Sequence, residues 1–542
     1  MGISIRSESL KGVSALNEKV NLMDFFSSHI VTELKEVNQS IRPMVTATAI
    51  KFVGTFRNQF TKDNMVTLMP LLIMHLSSPS IVVHSYAASA IEKFQTCKVV
   101  DINGKENIKF GGTEIEPFLE PLFSGLFTIV ENNVWNENEY VMKCVMRSLN
   151  TGKNSIIQVV EIVLGKLTTS LEVVAKNPRN PSYNHYMFES ISVLLKSVCA
   201  TNPEHTPSFE KLLFPPFQSI LQQDVSEFTP YVFQILAQLL EYRSNNSGLG
   251  QSFTVLFPPL LSPVLWDRKG NIPALTRLLQ AYLSKGAIEI VAKGQFLGML
   301  GVFQKLVASR SNEVQAFELL GTILHFVPFE ALQPHLKQLI QLLLTRLQKG
   351  KTERYVRLVT TFFAQYIGQF GPQKYFEVFD SVQAGIGLMI LTSIWLPRLQ
   401  SDIPVHMEAK IQVVGLTKIL CETPALLTND VNGICFQVLC NLVRIMTSTD
   451  TAFNNVPDKD DTDIEVGYDP TFSRLHFASK PQLDPFSQIQ DPSLAFAQGL
   501  LTVYRQFPDQ IRTLVQKMKD DQNPKLSAGL ASIFQKTGIT LA

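Results

Sequence analysis

The chain has 542 residues, 45% hydrophobic and 18% charged, with 48 basic against 47 acidic side chains and a net charge of +1. That length exceeds one ordinary core, so several domains or a repeat array are expected, and the composition is that of a foldable soluble protein rather than a disordered one. The charge balance lacks the basic excess of a nucleic-acid binder. The polar start "MGISIRSES" is no signal peptide, and Arg6 stands where a myristoylation signal after Gly2 wants Ser or Thr. The longest apolar run, 384–396, falls short of the roughly 20 residues a membrane span needs. Neither nucleic acid nor membrane insertion is therefore expected.

Apolar residues recur at spacings of three and four almost throughout, bounded by Pro, Gly, Asn or Ser. In chain order the spacing predicts helices over 21–37, 43–60, 64–76, 81–95, 114–131, 137–150, 154–175, 183–200 and 208–222. They continue over 227–243, 252–266, 272–285, 288–309, 312–326, 330–349, 352–370, 373–395, 406–422, 430–447, 493–506, 508–520 and 524–536. The helices pair. "LMPLLIMHL", the turn "SSPS" and "IVVHSYAASAIEKF" make one hairpin, and "LFPPFQSILQQD" before "SEFTPYVFQILAQLLEY" makes another. Prolines 70, 117, 215, 258 and 334 mark first helices at separations of 47, 98, 43 and 76 residues. A two-helix unit of roughly 40–47 residues fits these gaps, the period of HEAT repeats. The expected fold is an all-α HEAT-repeat solenoid of about nine to eleven antiparallel pairs, each too small to bury its apolar face alone.

Two segments break the period. Residues 98–112, "KVVDINGKENIKFGG", read as a polar loop, and 447–490 as an acidic irregular insert containing Asp460, Asp461 and Asp463. The domain plan is a divergent segment 1–20, a solenoid 21–446, the insert 447–490 and a C-terminal helical cap 491–542. The acidic run is a solvated stretch or a contact for a basic partner.

No catalytic constellation stands out. HExxH, CxxC, GxSxG and GxGxxG are absent, so no metal or cofactor is expected. "GKT" at 350–352 has Thr345 where a phosphate loop needs glycine, and it joins two helices. Six dispersed cysteines in apolar segments fit a reducing compartment. His84 sits beside the stripe Val83, Ala87, Ala90 and Phe94, whose 4-3-4 spacing marks a packing face. Ser85, Ser89 and Glu92 are expected on the opposite face. His84 reads as a boundary histidine rather than a catalytic one.

Longer words carry more than periodicity. "FRNQ" (56–59), "PLLIMHLSSPSIVVHSYAASAIEK" (70–93), "NEYVMKCVMRS" (138–148), "NPSYNHYMFESI" (180–191), "LQQDVSEFTPYVFQIL" (221–236), "LFPPLLSPVLWDRKGNIPALTRLLQAYL" (256–283), "GVFQKLVASRSN" (301–312) and "GYDPTFSRLHFA" (467–478) run in order along the chain. Together they resemble the cellular apoptosis susceptibility family of importin-β-like karyopherins. The resemblance implies a nuclear export receptor that carries importin-α together with the GTP form of Ran, with nucleoporins as further partners, moving between nucleus and cytoplasm through the nuclear envelope. The receptor itself is not an enzyme. Family members are about twice this length, so the resemblance implies a C-terminal half without the region that makes a principal contact with Ran, and independent export is not expected. The first twenty residues match the family poorly.

The resemblance also places cargo and Ran on the second helices, those starting near 81, 137, 183, 227, 272 and 352. Candidate contacts are Ser85, Ser89, Glu92, Lys143, Arg147, Arg268, Lys269, Arg277, Arg354 and Arg357, with the three aspartates of the insert. Asn184, His185 and Glu189 join them as an expected exposed helix start of mixed chemistry. The other class of function open to the sequence is a HEAT scaffold or regulator without transport activity.

Overall fold

The computed structural model describes every residue except 1–4, 9–12, 17–20, 37–41, 101–103, 105, 133–136, 246, 429–432, 449–472, 521–523 and 539–542. The chain divides into two units, each an α-solenoid. One runs to Ser247 and takes in a later segment ending at Ser479; the other begins at Gly248 and resumes at Lys480. Two antiparallel hairpins interrupt the first unit: β1 (Ile5–Glu8) with β2 (Val13–Leu16), and β3 (Lys98–Val100) with β4 (Glu106–Ile108). The second lies in the stretch expected to be a loop.

In the first unit a helical stretch over 22–35, with a π turn at Phe26–Ile30, precedes α1 (Pro43–Thr55). Then come α2 (Lys62–Leu76), α3 (Ile81–Phe94), α4 (Leu119–Val130), α5 (Glu139–Gly152), α6 (Val160–Val174), α7 (Pro181–Cys199), α8 (Thr206–Gln222) and α9 (Thr229–Tyr242). α2, α4, α6 and α8 pack in one row, and α1, α3, α5, α7 and α9 in the other. Starts are set locally. Thr61 and Asn64 form a capping box on α2, and Asn138 and Asn180 accept from backbone N–H groups of α5 and α7, with Pro181 supplying a fixed φ at the first helical position.

The second unit continues with α10 (Gln251–Leu260), α11 (Ile272–Ala292), α12 (Phe296–Val307), α13 (Glu313–Phe326), α14 (Phe329–Lys349), α15 (Glu353–Phe370), α16 (Pro372–Val382) and α17 (His406–Glu422). It ends with α18 (Ile434–Thr447), α19 (Pro492–Gln506), α20 (Pro508–Asp520) and α21 (Pro524–Thr537). Here α11, α13, α15 and α17 form the second row, and α17 also packs on α18 and α19. At the α15–α17 crossing the backbones nearly touch: a Cβ on Gly415 would lie 2.6 Å from the Ala364 carbonyl oxygen.

Three expectations need correction. The pair 272–285 and 288–309 is divided elsewhere, because α11 runs through to Ala292 and only bends at Gly286, where the Leu249 side chain fills the space a Cβ would take. The single helix 373–395 is instead α16 and Ile386–Ser401, meeting at 108°. Gly385 makes that corner at φ +71°, where its lack of Cβ is needed, and its N–H donates to Asp380 at 3.1 Å. Pro117 lies in a 3-10 turn before α4, whereas Pro70, Pro215, Pro258 and Pro334 are inside α2, α8, α10 and α14. Among the described residues no single helix is long and apolar enough to cross a membrane.

Within each unit glutamines tie the second row together. Gln95 donates to the Ser148 hydroxyl at 3.0 Å, Gln280 to Thr322 at 2.8 Å, Gln365 to the Gly321 carbonyl at 2.9 Å, and Gln238 accepts from Ser192 at 2.9 Å. Each such bond contributes about 1 kcal/mol net. Their larger effect is on register, because a one-turn slip would leave a buried amide unpaired.

Candidate partner-binding face

The helices named from the sequence as contact-bearing are the second row: α3, α5, α7 and α9 in the first unit, α11 and α15 in the second. Their predicted contact residues fall into three groups. Some are half-buried on the row's surface. Ser85 accepts from the Asn138 amide at 2.7 Å, Ser89 is half-buried, and the Lys143 ammonium stands 5.8 Å from the Tyr186 ring. A second group is basic and, Arg277 apart, exposed. Arg268 lies between two 3-10 turns before α11, Lys269 opens the second of them, and Arg277 is half-buried on α11. Arg354 pairs with Glu313 at 3.5 Å, and Arg357 with Glu408 at 2.6 Å, so both guanidinia already have carboxylate neighbours.

The third group is buried, against expectation. Glu92 and Arg147 form an ion pair at 3.5 Å between α3 and α5, with both side chains under 10% exposed. His84 is fully buried rather than at a boundary; its Nδ1 is 3.1 Å from the Ser78 carbonyl, and burial pushes its pKa down. Asn184, His185 and Glu189, expected to be an exposed helix start, are 4%, 2% and 0% exposed. Asp460, Asp461 and Asp463 lie outside the described residues.

What buries Glu189 was not foreseen. A strap from 473 to 479 lies on the α7–α9 face of the first unit. The Glu189 carboxylate accepts the backbone N–H groups of His476 and Phe477, the latter at 3.1 Å. On α9, Gln234 donates to the Ser473 carbonyl at 2.7 Å and accepts the Leu475 N–H at 2.9 Å. Reading the carbonyl of one residue and the N–H of the residue two further on is the pairing a parallel neighbouring strand would make. Gln238 reaches the Phe477 carbonyl at 3.5 Å and donates to the Ser192 carbonyl at 3.0 Å. Leu475, Phe477 and Ala478 are each 1% exposed, while Arg474 points to solvent. His185 lies beside Glu189 with its Nδ1 3.2 Å from the Tyr231 hydroxyl, and desolvation lowers its pKa to about 4, so the ring is neutral near pH 7.

In the second unit the segment 480–490 is anchored differently. Asp484 accepts from Lys410 of α17 at 2.5 Å with one oxygen and from the Phe486 N–H at 2.9 Å with the other. Phe486 is 1% exposed and lies on Gly368 of α15, where a Cβ would come within 2.3 Å of the ring. The sequence hinted at the strap, since "SRLHFA" is apolar at alternate positions within a stretch otherwise read as irregular.

Two rows of antiparallel helices, stacked pair on pair, define a HEAT-repeat solenoid. A solved structure, "The exportin Cse1 in its cargo-free, cytoplasmic state", superposes on 98% of this chain and 53% of its own, with a TM-score of 0.79 and 27% identity. The family model described as "CAS/CSE protein, C-terminus" matches residues 98–528, and the one described as "Cse1" matches 1–91, which includes the first twenty residues that read as a poor match. The chain belongs to the CAS/CSE family, a family of transport receptors and not of enzymes. It is 39% identical to Exportin-2 of Homo sapiens over 98% of this chain and 54% of that protein, and 39% identical to Exportin-2 of Danio rerio over 93% and 52%. The chain thus spans about half the length of the curated relatives it matches.

Proposed function

We propose that this chain acts as part of a nuclear export receptor, gripping importin-α together with Ran in its GTP form. The observation that carries the reading is the match to Exportin-2 proteins along almost the whole chain, at an identity well above that of fold likeness alone. The second-row helices supply the grip. Their uncovered surface offers Lys143 with the half-buried hydroxyls of Ser85 and Ser89 in the first unit, and Arg268, Lys269 and Arg277 at and before α11 in the second. Mixed basic and hydroxyl chemistry of this kind suits a partner's acidic and main-chain groups. Shuttling between nucleus and cytoplasm, and contact with nucleoporins at the pore, belong to the same reading.

Binding to immobilised importin-α, with and without Ran loaded with a non-hydrolysable GTP analogue, tests it. Capture strengthened by Ran is expected. Capture of neither partner by the folded chain would leave the plain HEAT-scaffold reading in its place.

A further inference from the structure

We propose that the α7–α9 face is a peptide-binding site and that the 473–479 strap is its built-in pseudo-ligand, which an extended partner segment with a Leu-x-Phe pattern replaces. The site reads main chain. Glu189 takes two consecutive N–H groups, and Gln234 takes one carbonyl and one N–H. None of these four bonds depends on a strap side chain. Leu475, Phe477 and the small Ala478 are read as side chains, by burial. Any segment that is extended over two residues, turns at the next, and carries those two apolar groups meets the same requirements.

The chemistry of the face shows that it also tolerates being open. A surface covered permanently by its own chain gains by being apolar, since a buried carboxylate and buried amides cost desolvation that apolar groups do not. This face keeps Glu189, Gln234, Gln238 and His185 instead. With the strap away, the carboxylate and amides return to water, and the second row stays soluble. The strap's solvent side carries the exposed side chains of Arg474 and Ser479, so a competing segment is free to differ there. The inference rests on this geometry alone and stands apart from the importin-α reading.

The test uses the full chain and a fluorescent heptapeptide of the strap sequence, Ser-Arg-Leu-His-Phe-Ala-Ser. The doubly substituted chain Leu475→Asp/Phe477→Asp frees the face. It is expected to bind the peptide at least tenfold more tightly than the unsubstituted chain does and to ignore a scrambled peptide; adding Glu189→Ala removes the binding. A folded double variant that fails to bind the peptide overturns the proposal, as does equal binding by the unsubstituted chain. Should the double variant not fold, native-state hydrogen exchange on the unsubstituted chain decides. Opening of the His476 and Phe477 amides below the denaturant needed for global unfolding supports a replaceable strap, and opening only with global unfolding overturns it. A dimer formed by strap exchange between copies would also overturn the partner-peptide assignment.

Discussion

The two anchors of the 473–490 segment use opposite grammars. In the first unit the helices hold the reading groups, and Glu189 and Gln234 grip strap main chain. In the second the strap holds them, and Asp484 and Phe486 grip Lys410 and the bare backbone at Gly368. A main-chain grip tolerates changes in what is gripped but not in the gripping side chains. A side-chain grip is lost from either end. The first anchor is therefore suited to exchange of occupants, and the second to fixing one segment in place.

The largest effect should come from breaking the first grip at its centre. Glu189→Ala leaves the His476 and Phe477 N–H groups without their acceptor, at a cost of about 2–5 kcal/mol. Urea unfolding should report the loss, and exchange protection at those two amides should vanish. Glu189→Gln keeps one acceptor oxygen and should lose about half as much. If both variants match the unsubstituted chain, the main-chain grip contributes nothing.

Next is the pH dependence of the same anchor. Burial holds the His185 imidazole at about 4, against 6.5 in an unfolded chain. Between those values the unfolded chain binds a proton that the folded chain refuses. Stability from this group is complete above pH 6.5 and is lost as pH falls toward 4, by at most about 3 kcal/mol. His185→Gln should flatten that part of the stability profile, measured by urea midpoints from pH 7.5 to 4.5. An unchanged slope would show that the ring titrates alike in both states.

The side-chain grip is sharpened by Gly368→Ala. The added methyl would meet the Phe486 ring, and overpacking of this kind costs about 1–3 kcal/mol. Protease sensitivity should rise around 480–490 while amides at 476 and 477 keep their protection. Loss of protection in both places would mean that the two anchors release together.

The helical repeat was legible because its signal is local: apolar spacing of three and four, Asn and Thr caps, and mid-helix prolines that fall in first helices. The break in 373–395 leaves no mark on the spacing because the run is apolar on both sides of Gly385, and only that residue's left-handed φ records the corner. The burial of Asn184, His185 and Glu189 is hidden from the sequence for a different reason. Polar residues at a helix start normally face water, and Tyr231 of α9, 46 residues beyond His185, covers part of that face. The cover of Glu189 comes from His476 and Phe477, 287 and 288 residues away from it. Glu189 and the strap both lie in words that carry the family resemblance, but no spacing rule connects two words so far apart.

The smallest effect separates covered from uncovered parts of the second row. Lys143 is half-buried on α5 and interacts with the Tyr186 ring from 5.8 Å, a contact contributing about 0.5–1 kcal/mol. Lys143→Met keeps the stem and removes the charge, so stability should fall by no more than that. Glu189 is closed over by the strap, and its substitution should act on folding before it acts on any partner. Lys143 is not covered, and its substitution should act on the partner instead. Importin-α capture should weaken several-fold in Lys143→Met at nearly unchanged stability, and more so at low salt, because a partly exposed charge is screened. Equal capture at both salt concentrations would remove Lys143 from the grip and shift the search to the basic turn at Arg268 and Lys269.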